Sequence, residues 1–185
     1  HLEGFINIDG VIKAKTELYH WIIENDKVLL INSEDKTQNK FINHKSIVFG
    51  SNNKCNYTFN ENNKDLVCVL FEEFLFKTNL YGSYNYSNVC AAIALGLEFG
   101  LDKNEINQTL VGYNSENNRS EIIRINDKTI ILDAYNANPS SMEEAIKSFS
   151  NLKGKKIIIL GDMYEIGKES SIEHKKIIKL CEEIP

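Results

Sequence analysis

The chain has 185 residues, 42% of them apolar, and a formal net charge of −5, so it is long enough for one large packed domain or two small ones. That charge argues against a nucleic-acid-binding surface, which usually shows a basic patch. No apolar run approaches the roughly 18 residues that span a bilayer, and no signal-peptide pattern is present, so the expected compartment is the cytoplasm.

In chain order, the first expected element is a helix from about Asp9 to Asn25, with Val11, Ile12, Lys15, Leu18, Tyr19 and Ile22 along one face. A buried strand follows at Val28 to Ile31. Residues 32 to 63 are rich in Asn and Lys, with short β-like pieces at Ile47 to Phe49 and Tyr57 to Phe59. Leu66 to Phe71 and Phe74 to Leu80 read as a strand pair joined in a hairpin. After Gly82 the apolar period becomes helical through Val89, Ala92, Ile93, Gly96 and Leu97 and stops at Gly100. Asp102-Lys103-Asn104-Glu105 reads as a capping box opening a short helix with Ile106, Leu110 and Val111. Tyr113 to Asn118 is polar, and a domain boundary is expected at about residue 120.

Beyond it the expected order is strand, helix, strand, helix: Thr129 to Leu132, Ser140 to Asn151, Lys156 to Leu160, and Ser171 to Glu183. Alternation of that kind predicts an α/β unit with a parallel sheet covered by helices. Cys55, Cys68, Cys90 and Cys181 lack the paired spacing of a zinc site or the density of a disulfide scaffold, and are read as reduced thiols, with Cys68 and Cys90 in the core. The chain opens without Met and closes soon after its last helix-like run, and both ends are expected to continue in a longer protein.

The most informative stretch runs from Asp133 to Glu144. It follows an apolar β-branched run and precedes a helix for which Asn138 is a good N-cap, Pro139 a good first residue, and an acidic first turn is expected. A loop at the carboxyl end of a strand, facing a helix N-terminus, predicts a phosphate or nucleotide crevice.

The wording of that loop, Asp133-x-Tyr135-Asn136-Ala137-Asn138-Pro139-x-Ser141-Met142, resembles the signature of the Mur ligases. Within them it is closest to the enzyme that joins D-alanyl-D-alanine to UDP-N-acetylmuramoyl-tripeptide. His1-Leu2-Glu3-Gly4-Phe5 followed by Gly10 to Leu18 is similar to the family's central-domain segment, in which the histidine binds magnesium and a lysine is carbamylated; His1 and Lys15 occupy those positions. A carbamate would turn the ammonium into an oxygen ligand for a hard cation. Gly82-Ser83-Tyr84-Asn85-Tyr86-Ser87-Asn88 resembles the family's Gly-x-His-Asn-x-x-Asn motif, whose asparagines contact adenine. Tyr84 stands where the pattern has His. Asn85 could also simply cap its helix.

Asn117-Asn118-Arg119-Ser120-Glu121 resembles the family's junction between central and C-terminal domains, where the arginine approaches the ribose and phosphates of ATP. A planar guanidinium suits phosphate. Asp133 matches a position near the ribose, and Asn136 and Asn138 are expected to contact substrate or phosphate across the closing domain interface, although Asn138 also suits a purely capping role. Gly161-Asp162-Met163-Tyr164-Glu165-Ile166-Gly167, with His174 after it, is similar to a further family motif. Glu165 and His174 can be pictured as an acid and base pair, but their spacing does not establish one, and a structural role is the stronger expectation.

The resemblance implies part of a central ATPase domain over residues 1 to 120 and part of a Rossmann-like C-terminal domain over residues 121 to 185. It implies an ATP- and magnesium-dependent amide ligase of peptidoglycan precursor synthesis, with Lys15, His1 and Arg119 as catalytic residues. Its substrates would be UDP-N-acetylmuramoyl-tripeptide and D-alanyl-D-alanine, and it would act as a cytoplasmic monomer. The chain contains no Gly-rich Lys-Ser/Thr phosphate loop, so these residues alone are expected not to catalyse. Another ligase of the superfamily would share the His1, Lys15 and Asn85 features but should lack the Tyr-Asn-Ala-Asn-Pro wording, and a noncatalytic nucleotide-binding module derived from such a ligase is a further alternative. A redox Rossmann protein does not fit, because no Gly-x-Gly-x-x-Gly follows a strand.

Overall fold

Strand alternation sets the first lobe. In the computed structural model, which describes residues 2–5, 7–42, 44–62, 66–116 and 118–184, five strands form one sheet in chain order: β1 (Leu29–Asn32), β2 (Ser46–Gly50), β3 (Tyr57–Glu61), β4 (Leu66–Phe71) and β5 (Phe74–Tyr81). β1, β2 and β3 run parallel, while β3, β4 and β5 are antiparallel. The β4–β5 hairpin closes on the pair Phe71 and Phe74, with Glu72 in the left-handed region at φ 53°.

A short helical turn, α1 (Leu2–Phe5), precedes α2 (Ile8–Glu24), which Asn7 caps through a bond from the Gly10 N–H at 2.9 Å. α2 lays Tyr19, Ile22 and Ile23 against Leu29, Ile31 and Phe41. Leu18, expected on the packed face, is exposed. The opposite layer is α3 (Tyr86–Glu98), whose Val89, Cys90, Ile93 and Ala94 meet Phe49, Phe59, Val67, Val69 and Phe76 of the sheet. Phe59 and Phe76 are wholly buried, and each contributes about 1.5–3 kcal/mol by leaving water. Of the two cysteines expected in this core, Cys90 is buried and Cys68 half-buried.

α4 (Lys103–Gly112) begins with the expected capping box. Asp102 accepts from the Asn104 and Glu105 N–H groups at 2.7 and 3.0 Å, and Glu105 accepts from the Asp102 N–H at 3.0 Å. α4 is tied to β5 by the Lys77 N–H, which donates to Asn107, and by the Asn79 amide, which donates to the Val111 carbonyl.

β5 carries an irregularity that positions the cleft described below. Cys68 pairs with Lys77 but Leu66 pairs with Tyr81, so β4 advances two residues while β5 advances four. The buried Thr78 bridges the gap: its hydroxyl donates to the Val67 carbonyl at 2.8 Å and accepts from the Leu80 N–H at 3.1 Å. A side chain here replaces ladder bonds that the bulge forfeits.

The second lobe holds β6 (Glu121–Ile125), β7 (Lys128–Leu132), α5 (Pro139–Ser150) and α6 (Ser170–Glu182). β6 and β7 pair antiparallel around Asn126, which is left-handed at φ 55°. β6 was absent from the expected elements. Among the described residues the parallel pairs are those of the first sheet, and β7 pairs with a hairpin partner rather than a crossover strand. The segment expected as a strand at Lys156 to Leu160 has no ladder partner among the described residues, and its Ile159 is 92% exposed. The core of this lobe joins Ile146 of α5, Met163, Ile166 and Ile177 of α6.

Candidate functional site

A cleft of about 940 Å³ opens where the two lobes meet. Its apolar side comes from the first lobe, with Leu80, Val89, Ala92 and Leu110. Its polar rim brings together Asn85 and Asn88 at the start of α3, Arg119 at the junction, Asp133 after β7, and Asn136 and Asn138 before α5. These six side chains, separated by up to 53 positions in the chain, were each expected from sequence to face a nucleotide or substrate.

Asn85 does not cap α3. Its side-chain amide donates back to the Tyr81 carbonyl at 2.8 Å, and its Oδ1 accepts from the Asn88 amide at 3.4 Å. The pair is thereby oriented as a unit, with Asn85 half-buried and Asn88 exposed at the cleft.

Asn138 does cap α5. Its Oδ1 accepts from the Ser141 N–H at 3.0 Å and the Ser140 hydroxyl at 2.8 Å, and the Ser141 hydroxyl returns to the Asn138 N–H at 3.3 Å. One of the N–H groups expected to be open to an anion is thus already used. The first turn holds no acid. Glu143 and Glu144 lie one turn further on, where Glu143 accepts from Lys147 at 2.5 Å and its carboxyl is held below the usual range by that bond. Asn136 accepts from the Ala137 N–H at 2.9 Å and is otherwise exposed at the rim.

The junction is folded tightly against the end of β7. The Asn118 carbonyl accepts from both the Ala134 and Tyr135 N–H groups, at 2.8 and 3.1 Å. Asn118 and Ser120 are left-handed, at φ 59° and 54°. Ser115 donates to the Arg119 carbonyl, and the Arg119 guanidinium lies 3.7 Å over the centre of the Tyr135 ring. Arg119 is exposed, so a planar cation stands on an aromatic platform at the cleft mouth.

Asp133 is the anchor of this corner. Its Oδ1 accepts from the Ser120 N–H at 3.2 Å, and its Oδ2 accepts from the Tyr84 hydroxyl at 3.3 Å. A carboxylate has about four acceptor positions, which leaves capacity for hydroxyls of a ligand. Tyr84 also meets the Ser120 hydroxyl at 2.6 Å. Burial, above all, pushes the Tyr84 phenol up to about 12. Sequence reasoning singled out Tyr84 only as a departure from the family pattern, and it passed over Ser120 and Tyr135 as site residues.

Three expected residues among those described, Lys15, Glu165 and His174, do not line the cleft. Lys15 is exposed on α2 and does not line it, and His1 and Asn117 lie outside the described residues. Among the described residues no group of three or more His, Cys, Asp and Glu could hold a metal ion. Glu165 and His174 do not line the cleft either. The His174 Nε2 accepts from the Met163 N–H at 3.1 Å, which leaves Nδ1 to donate to the Ser170 carbonyl at 2.8 Å. The imidazole thus pins the Gly161 to Gly167 loop to the first turn of α6. No helix of the described residues is long and apolar enough to cross a membrane.

Residues 1–96 match the Mur ligase middle domain, and residues 118–184 match the Mur ligase, glutamate ligase domain. The chain is 32% identical to the UDP-N-acetylmuramoyl-tripeptide--D-alanyl-D-alanine ligase of Buchnera aphidicola subsp. Baizongia pistaciae, over 96% of this chain and 41% of the relative. It is 29% identical to the Escherichia coli ligase of the same name, over 96% of this chain and 42% of the relative. It therefore spans about two fifths of the length of these curated relatives. Its fold is similar to a crystal structure of MurF from Acinetobacter baumannii, with a TM-score of 0.83 and 25% identity over 98% of this chain and 42% of that one. It is similar in fold to the Thermotoga maritima MurF ligase solved in complex with ADP, with a TM-score of 0.81 and 19% identity over all of this chain and 44% of that one.

Proposed function

The chain belongs to the Mur ligase family, and from that premise we propose that it forms the adenine-nucleotide cleft of an ATP-dependent amide ligase that joins D-alanyl-D-alanine to UDP-N-acetylmuramoyl-tripeptide. The observation that carries this reading is the convergence of Asn85, Asn88, Arg119, Asp133, Asn136 and Asn138 on one cleft. Relatives with that named activity align over almost all of this chain, and the T. maritima neighbour was solved with ADP.

In this reading the apolar side of the cleft receives the adenine ring, while the Asn85 and Asn88 carboxamides offer donors and acceptors to its edge. Asp133 accepts from ribose hydroxyls, and the Arg119 fork meets phosphate oxygens. Asn136 and Asn138 face the phosphates and the peptide substrate from the second lobe. A carboxylate oxygen of the tripeptide attacks the γ-phosphorus of ATP, and ADP leaves. The amine of D-alanyl-D-alanine attacks the resulting acyl phosphate, phosphate departs, and the amide forms with loss of a proton. Holding the partners in line and placing positive charge beside the transferred group are the tasks of the protein. The roles of His1 and Lys15 at magnesium, with Lys15 as a carbamate, come to this proposal from the family resemblance alone.

The same reading puts the protein in the cytoplasm as a monomer, with a domain junction near residue 120, and makes these 185 residues part of a longer enzyme. The test is phosphate release by the full-length protein, measured with each substrate omitted in turn. Release that requires ATP, UDP-N-acetylmuramoyl-tripeptide and D-alanyl-D-alanine together is expected, with no turnover by the 185-residue chain alone. Turnover with a single amino acid in place of the dipeptide would assign a different ligase, and absence of ATP binding would overturn the nucleotide assignment.

A further inference from the structure

We propose that Tyr84 is a positioning residue that latches the two lobes across the cleft, closing a hydrogen-bonded ring with Ser120 and Asp133. Its consequence for nucleotide binding rests on the reading of the cleft given above; the latch itself does not.

The polarity of the ring follows from the groups present. An ionised carboxylate only accepts, so both the Ser120 N–H and the Tyr84 O–H donate to Asp133, one to each oxygen. The single hydrogen of the phenol is then spent, and in the 2.6 Å contact the Ser120 hydroxyl must be the donor to Tyr84. Every donor therefore runs toward the carboxylate, an arrangement in which each bond polarises the next. Ser120 is 4% exposed, so its hydroxyl has no ready exchange partner in water.

Two backbone features fit the chain to this ring. Gly82 has φ +88°, and a Cβ there would stand 2.3 Å from the Tyr84 ring. Glycine lets the ring fold back over the backbone toward the second lobe. Ser120 is held left-handed at φ 54°, a conformation a non-glycine residue keeps only when its surroundings impose it.

The ring lies between the two edges of the cleft. Tyr84 adjoins Asn85, Ser120 adjoins Arg119, and Asp133 is itself on the rim. The phenol thus fixes the distance between the edge assigned to adenine and the edge assigned to ribose and phosphate. The Ser83 and Ser148 hydroxyls, 3.5 Å apart, make a second contact between the lobes beside it.

The experiment compares wild type, Tyr84→Phe, Ser120→Ala and the double variant of the full-length protein. Tyr84→Phe keeps the ring and its packing and deletes only the hydroxyl. Hydrogen exchange at the backbone amide of position 120, which donates to Asp133, should quicken by about three- to tenfold in each single variant relative to the intrinsic rate of the residue there, the range expected for one lost hydrogen bond. The KM for ATP should rise by a similar factor and by more than kcat falls. The double variant should be no worse than the singles, because both remove the same ring. Exchange and KM like wild type in both single variants, or additive losses in the double, would overturn the latch. If wild type fails to bind ATP by titration, the nucleotide reading fails instead, and the exchange data still decide the latch.

Discussion

Asn138 stands in the middle of the family-like loop and has two candidate roles, capping α5 and meeting substrate, which substitution separates. Replacing it by Ala removes the acceptor of the Ser141 N–H and the Ser140 hydroxyl, at 3.0 and 2.8 Å. The helix end is exposed, so water recovers part of the loss, and deletion of an N-cap of this kind costs about 1 kcal/mol. That corresponds to about a fivefold rise in local opening. Hydrogen exchange in the full-length protein reads it directly: the Ser141 and Met142 amides, which bond to Asn138 Oδ1 and to the Asn138 carbonyl, should exchange about fivefold faster. The amide of Val69, buried in the other lobe, should not change. Asn138→Asp should restore protection, since Asp caps as well and its charge suits a helix N-terminus. The same charge stands in the cleft proposed for a triphosphate, so ATP should bind more weakly to the Asp variant even though its cap is intact. Unchanged exchange in Asn138→Ala would refute the capping argument, and unchanged ATP affinity in Asn138→Asp would refute the placement of the phosphates.

Two further outcomes follow from buried groups. Burial pushes the Cys90 thiol from 9.0 up to about 12 and the Tyr84 phenol from 10.0 up to about 12. The unfolded chain releases these protons first, so their contribution to stability is intact below pH 9 and is lost between about pH 9 and 12; urea midpoints across that range should show the fall, and a flat profile would contradict it. Thr78→Val keeps the shape of a buried side chain but leaves the Val67 carbonyl and the Leu80 N–H without the partner they now share. It should lower stability by about 1–3 kcal/mol in urea unfolding, and a neutral result would show that the bulge repairs itself.

The sequence carried the long elements well because their signals are local. The apolar stripes of α2 and α3, the capping box at Asp102 and the β4–β5 hairpin all appear near their expected bounds. Elements that depend on a partner were harder. Glu121–Ile125 and Lys128–Leu132 flank a two-residue Asn-Asp turn, a hairpin signal, yet Glu121 and Arg124 interrupt the apolar run of the first strand, which becomes plain only through its pairing with the second. Lys156 to Leu160 has a strand's composition, but a ladder needs a neighbour, and none of the described residues supplies one. The rim residues were legible because family-like wording names them one by one. The ring through Tyr84 was not, because its members are 36 and 49 positions apart and no periodicity joins them.

The bulge in β5 has a consequence for how this region tolerates change in length. Side chains alternate across a sheet with period two, so the two surplus residues between Lys77 and Tyr81 leave the inward and outward faces of the strand in phase. Losing one of them would turn the strand's remainder inside out. Losing both would spare the core yet draw Gly82 and Tyr84 back along the strand by roughly 6.6 Å, out of reach of the opposite lobe. The strand therefore serves as a ruler whose count the hydrophobic interior constrains only modulo two, while the cleft requires the full number.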